Sequence, residues 1–278
     1  MFNAVMLTVV AGLCTGLGAL MIFFTQKVKL SFLALAMSFS AGIMLYISLV
    51  GLLPIALESE LSFGIFNGHF IAIALFAIGA VFTAMIDYFI PTHISKDDED
   101  TLGGNLCHCH HHSNSKNSIS EIIENKSYRT GVFIALAIAI HNFPEGLAVF
   151  ATASENMTMG LSIAIGIALH NIPEGLIVAL PIYVATKSKT KAFIWATLSG
   201  LTEPLGAIFG YSLISSFASL EVISLLNAFV AGIMVYIALD ELLPMAKEYG
   251  RGHTAIFGTF IGMLFIAFVS MILECPNC

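Results

Sequence analysis

Charge is scarce in this chain. Lys, Arg, Asp and Glu together make up 10% of its 278 residues, against a hydrophobic share of 58% and a mean hydropathy of +0.91. Soluble domains carry about 25% charged residues, so a water-soluble globule is excluded and a membrane protein is indicated. The ~10-residue alternating segments of a membrane β-barrel are missing as well. So is any basic patch of the kind that reads nucleic acid; the net charge of -7 comes largely from an acidic run at 97–100.

What the sequence does have is long apolar runs, at about 2–24, 31–57, 69–90, 131–153, 158–183, 192–217, 222–243 and 254–273. Each reaches the ~20 residues a helix needs to cross the hydrocarbon. No Lys or Arg precedes the first run and no small-residue cleavage site follows it, so it reads as a true span and not a removable signal. The 11 basic residues are one-sided. Lys27 and Lys29 follow span one, and Lys96, Lys116, Lys126 and Arg129 follow span three. Lys187, Lys189 and Lys191 follow span five, and Lys247 and Arg251 follow span seven. The connections near 58–68, 154–157 and 218–221 have none. By the positive-inside rule both termini face outside and the basic loops face the cytoplasm. The expected fold is all-α and polytopic: one transmembrane domain over 1–278, interrupted by a disordered cytoplasmic loop at 91–129.

Two internal repeats are visible. Residues 39–58 match 229–248, sharing Gly42/Gly232, Met44/Met234, Tyr46/Tyr236 and Pro54/Pro244; residues 12–20 match 200–208. Spans four and five carry the second repeat, His141-Asn142-Phe143-Pro144-Glu145-Gly146 and His170-Asn171-Ile172-Pro173-Glu174-Gly175. The members of each pair run in opposite directions. Together they give a 3+2+3 inverted-repeat arrangement, the plan of secondary transporters that bind substrate near mid-membrane.

Glu145, Glu174 and Glu203 lie near the bilayer centre, where a carboxylate is unfavourable by ~2.5–3.5 kcal/mol. No Lys or Arg stands inside a span to offset them. A divalent cation, or protonation, is what is left. His141 and Glu145 are spaced i, i+4 and Asn142 and Glu145 i, i+3, so all three share a helix face. His170, Asn171 and Glu174 repeat the arrangement. Pro144 and Pro173 remove an N–H at mid-helix, and irregular backbone at that depth is tolerated only around a buried or wet cavity. Glu145 and Glu174 can bridge two metals, one on the His side and one on the Asn side, with Glu203 completing the second. Imidazole, amide and carboxylate donors without Cys suit Zn(II), Fe(II), Mn(II), Co(II) or Cd(II) rather than Cu(I).

The paired HNFPEG and HNIPEG motifs, eight spans, external termini and a His-rich loop after span three resemble the ZIP family of metal-ion transporters, in particular its bacterial ZupT-like branch. The resemblance covers essentially the whole chain. It implies a binuclear centre with His141, Glu145, His170 and Glu174 at one metal and Asn142, Glu145, Asn171, Glu174 and Glu203 at the other. The duplicated His-Asn pair fits the broad-specificity bacterial branch. The expected activity is uptake of Zn(II), with Fe(II) and other divalent metals, across a bacterial cytoplasmic membrane by alternating access. The metal is substrate, no organic cofactor is expected, and the partners are the ion, the bilayer and a second copy of the chain.

Weaker candidates complete the list. Met44 and Glu58 are expected on the path in, and Asp240, Glu241 and Glu248 on the path out; Asp87 is expected at the membrane interface. The run Cys107, His108, Cys109, His110, His111, His112, in reducing cytoplasm, is a candidate loop metal site. Cys275 and Cys278 have CxxC spacing, open to a disulfide or a frayed tail, and Cys14 reads as packing. A passive metal channel built on the same site is the nearest alternative. An intramembrane metal-dependent hydrolase is more distant, since HExxH is absent and Asn142 stands where its catalytic Glu would be.

Overall fold

A computed structural model of the chain describes residues 2–24, 29–58, 67–89, 116–216 and 220–274, and among these every regular element is helical. Eight helical stretches are long and apolar enough to cross a membrane: Phe2–Phe24, Leu30–Leu57, Gly68–Tyr88, Gly131–Glu155, Met157–Thr186, Lys189–Ser212, Leu225–Tyr249 and Thr254–Leu273. They are called spans one to eight. Span five is the hub, with 72% of its most apolar window buried, against 17% for the peripheral spans three and eight.

Local chemistry sets the ends. Asn156 caps span five by accepting from the Thr158 and Met159 N–H groups, satisfying donors that a helix start leaves open. That span stops where Lys187 turns left-handed at φ 52°, and Ser188 caps span six through the Lys191 N–H. Span six is broken once, between helices Lys189–Gly200 and Thr202–Ser216. Span seven runs on to Tyr249, six residues past the expected end at 243. The polar segment needs a larger correction. Helix begins at Lys116, so 116–129 is helical and not disordered. Ile119, Ile122 and Ile123 supply the i, i+3, i+4 apolar spacing that favours it. Residues 91–115, with the Cys-His run 107–112, lie outside the described residues, as do Cys275 and Cys278.

The inverted repeat is matched by backbone irregularity that the sequence reading did not anticipate. Helix continues through Pro144 and Pro173, whereas π turns occupy Ile47–Leu52 and Ala238–Leu242, each just before the repeat's proline. The Leu53 N–H reaches back five residues to the Ser48 carbonyl, and the Leu243 N–H likewise to Ala238. Pro54 and Pro244 bring no N–H to the next rung, so the ladder loosens at the same place in both copies.

Glycine decides which spans are locked together. A Cβ on Gly18 would overlap the Ile172 carbonyl, and one on Gly175 the Thr15 carbonyl, so spans one and five meet backbone to backbone. Spans four and six repeat this with Gly146 on Glu203 and Gly206 on Phe143, and Gly12 and Gly200 face each other between spans one and six. A second set joins span two to span eight, with Gly42 on Thr259 and Gly262 on Phe39. Its mirror joins span three to span seven, with Gly79 on Phe229 and Gly232 on Phe76. Small residues let membrane helices approach this closely, and the dispersion gained there replaces the hydrophobic drive that lipid removes. These glycines tie spans one, four, five and six into one unit and pair two with eight and three with seven; the two pairs meet where spans two and seven pack together, which makes a second four-span unit.

Candidate metal centre

All seven mid-span residues belong to the first unit, and the structure brings them together at one depth. His141 is 5% exposed, and Asn142, Glu145, His170, Asn171, Glu174 and Glu203 are at 1% or below. The motifs pair crosswise. His141 Nε2 lies 3.4 Å from Glu174 Oε2, and His170 Nε2 lies 3.2 Å from Glu145 Oε2, so each imidazole faces the carboxylate of the other span. Antiparallel spans carrying one motif apiece produce that exchange as a consequence of their pseudo-two-fold axis.

The asparagines are aimed by the backbone around them. The Asn142 amide N–H donates to the Ser199 carbonyl at 3.3 Å and that of Asn171 to Ala11 at 2.9 Å, with Asn171 also donating to Glu203 Oε1. Fixing both nitrogens leaves both amide oxygens turned inward. The glycine after each motif glutamate serves the same end: Gly146 admits the Glu203 backbone and Gly175 that of span one. Span two contributes Ser40, whose hydroxyl donates to the His170 carbonyl at 3.4 Å.

This layer has more acceptors than donors. His141 Nε2, Asn142 Oδ1, Glu145 Oε1, His170 Nδ1, Asn171 Oδ1, both Glu174 oxygens and Glu203 Oε2 are buried without a hydrogen bond. Among the described residues only Thr15 Oγ1 and Asn227 Oδ1 share that condition. Buried polar groups are normally satisfied, and each orphan costs about 1–3 kcal/mol, so such a cluster calls for a cation or for protons on its carboxylates. The side chains nevertheless stand as His–Glu pairs. Among the described residues no group of three or more His, Cys, Asp or Glu is arranged to hold a metal ion as it stands.

A cleft of about 120 Å³ leads from His141 and Glu174 past Asp240, Glu241 and Glu248 to Tyr249, at the face bearing the basic residues. At about 30 Å³ per water in liquid, it has room for a partly hydrated ion. The three acids expected on the path out therefore line one continuous opening. Asp87 is a revision. It is half-buried and, with Thr83, Glu241 and His141, lines a smaller cavity of about 40 Å³ beside the cleft, so it is no simple interfacial residue. Glu58 is exposed at the opposite end, and Met44 is fully buried in the core of span two. Cys14 is a free thiol, half-buried in span one.

The sequence profile described as ZIP zinc transporter matches residues 1–270. The chain belongs to the ZIP family. Proteins named zinc transporter ZupT are similar along their whole length: that of Clostridium perfringens is 42% identical over 282 residues, covering 97% of this chain and 95% of the relative. The one from Chlorobium limicola is 48% identical over 265 residues, covering 94% of each, and the one from Campylobacter jejuni is 42% identical over 281 residues, covering 96% and 94%. ZIP membership places the chain among transporters and not among enzymes, which removes the hydrolase reading.

Proposed function

We propose that this ZIP protein takes up Zn(II), and with it Fe(II), Mn(II), Co(II) and Cd(II), into the cytoplasm of a bacterial cell across its cytoplasmic membrane. The observation that carries the reading is the cluster of orphaned donors at mid-depth. Four atoms at the corners of a tetrahedral zinc site with bonds of ~2.0–2.1 Å are about 3.3 Å apart. The crosswise imidazole–carboxylate separations of 3.4 and 3.2 Å are of that size. One metal takes His141, Glu145, His170 and Glu174; the second takes Asn142, Glu145, Asn171, Glu174 and Glu203. The donors are already buried, and the two imidazoles already face carboxylates of the other span, which supports these ligand sets.

Direction follows from the loops. Every Lys and Arg lies in the sequence after spans one, three, five or seven, which by the positive-inside rule supports a cytoplasmic position for those connections. The acidic cleft opens at Tyr249, between Lys247 and Arg251 in sequence, which supports an inward-open reading in which an ion leaving the site is drawn out past Glu241, Asp240 and Glu248. Alternating access is supported by the division into two four-span units, since the whole site rides on one and the acids of the exit on the other. Rocking one unit against the other moves the site without dismantling it.

The test is uptake of zinc and of iron(II), separately, into proteoliposomes holding the purified protein. Saturable uptake is expected, falling at least about 100-fold in Glu145→Ala and in Glu174→Ala, in line with the loss of a ligand or its support. Metal that binds and never crosses overturns the proposal. Trans-stimulation by metal loaded inside is expected of a carrier and not of a channel.

A further inference from the structure

Two side-chain hydrogen bonds tie the site-bearing unit to its neighbour on the side of the site away from the cleft. The Asn227 amide of span seven donates to Thr152 Oγ1 of span four at 3.4 Å, and the hydroxyls of Ser162 in span five and Ser270 in span eight are 2.6 Å apart. Thr152 is seven residues past Glu145, and Ser162 is eight before His170, so both bonds lie about 10–12 Å from the site layer at 1.5 Å per residue. Thr152 and Asn227 are fully buried, and Ser162 nearly so.

The inverted repeat allows a direct comparison with the other side. Span seven maps on span two through Phe229 and Phe39, and span five on span four through His170 and His141. Span eight maps on span three through the glycine contacts, Gly262 on Gly79. The mirror image of Asn227 with Thr152 is then Met37 with Pro181, and the mirror image of Ser162 with Ser270 is Phe133 with Asp87. Pro and Phe side chains have neither donor nor acceptor, so neither mirror pair can form a side-chain bond. Neither tie is repeated at its mirror positions. A second observation concerns Asn227 itself, whose Oδ1 is buried with no partner although its nitrogen is bonded. An amide satisfied on one side only is well matched to a contact that opens, because water or a passing ion then supplies the missing partner.

We infer that Thr152–Asn227 and Ser162–Ser270 form a one-sided latch, which favours the inward-open arrangement and must break before the site can face outside. These are positioning residues: they act on the equilibrium between the two faces and touch no metal in this arrangement. The inference rests on the alternating-access reading. It implies that latch opening slows return of the empty protein, so that weakening it speeds exchange until inward release becomes limiting.

The test reads both faces at once, in full-length protein with its native cysteines replaced by serine and reconstituted in liposomes. One reporter is Leu52→Cys, at a fully buried position on the latched side; the other is Met245→Cys, in the wall of the cleft. Thr152→Val and Ser270→Ala each remove one bond at nearly constant volume. With an impermeant maleimide, labelling at 52 is expected to rise about three-fold or more for each bond lost, the size of a membrane interhelical hydrogen bond, while labelling at 245 falls. Thr152→Ser, which keeps the hydroxyl, is expected to match the parent protein. A protein that had only loosened would label faster at both positions, so a joint rise overturns the latch, as do two unchanged reporters. Zinc flux measured in the same liposomes separates the two ideas. Parent protein that carries no zinc sinks the transporter reading, whereas flux with unopposed reporters sinks the latch alone.

Discussion

Residues 39–58 and 229–248 are inverted copies that take the same shape and meet opposite surroundings. Both place a glycine against a carbonyl of a peripheral span, both open into a π turn, and both resume as helix at a proline. Where the second copy has Asp240 and Glu241 lining a cleft, the first has Val50, half of whose surface is exposed, and Gly51, where an added Cβ would meet only the Ile163 side chain. Shape and polarity are thus written at different positions of one repeat. The shared residues set where the backbone may bend. The unshared ones decide which half takes up water, and a few carboxylates suffice because a charge is stable at that depth only where water or a cation reaches it.

The harshest way to break the comparison is at its shared part. Gly42→Ala and Gly232→Ala both drive a Cβ into a backbone carbonyl, which cannot swing aside as a side chain end would. Each is expected to destabilise by ~3 kcal/mol or more, at or above the upper range for overpacking. Gly51→Ala, with 3.9 Å to its nearest neighbour, is expected to be near neutral. Thermal unfolding in detergent checks all three, and equal losses at 42, 51 and 232 would show that the glycines are not acting through close approach.

Much of this arrangement could be read without coordinates, for a physical reason. Hydropathy is a direct record of the solvent each residue meets, so the spans emerged within a few residues, and the paired HN-x-PEG motifs brought their side chains to one depth. Asp240 and Glu241 stood out as acids near the end of an apolar run, and they line the cleft together with Glu248, which lies past the expected end of that run. The rest depended on partners. A glycine in an apolar run means little until the carbonyl opposite it is known, and Asn227 reads as one amide among many apolar residues until Thr152 is seen across from it. Asp87 was misjudged because depth along a span does not reveal which way a side chain faces. The π turns were missed for a different reason: Pro144 and Pro173 drew attention as helix breakers, while Pro54 and Pro244 carry the irregularity.

A milder intervention removes the polarity and keeps the shape. Asp240→Asn with Glu241→Gln retains hydrogen-bonding side chains in the cleft and withdraws two negative charges from the way out. Uptake at saturating zinc is expected to fall about ten-fold, equivalent to ~1.4 kcal/mol on the slowest step, with little change in the zinc concentration at half-maximal rate. A change confined to apparent affinity would instead make these acids part of the binding layer.

The finest test concerns the prolines, which both copies share and only one copy uses next to charge. In Pro244→Ala the restored N–H lets the loosened ladder close toward ordinary α geometry. Losing the π turn removes the extra residue's worth of winding, which turns Asp240 and Glu241 by about 100° relative to the helix that follows, at 3.6 residues per turn. The carboxylates then leave the cleft wall, and uptake is expected to drop about three-fold, near 0.6 kcal/mol. Pro54→Ala makes the same backbone change where Val50 and Gly51 stand, so only apolar surface is turned and uptake should stay within error of the parent. If the two variants lose the same activity, the π turns serve the motion of the repeats equally, and the asymmetry of the molecule lies in its charges alone.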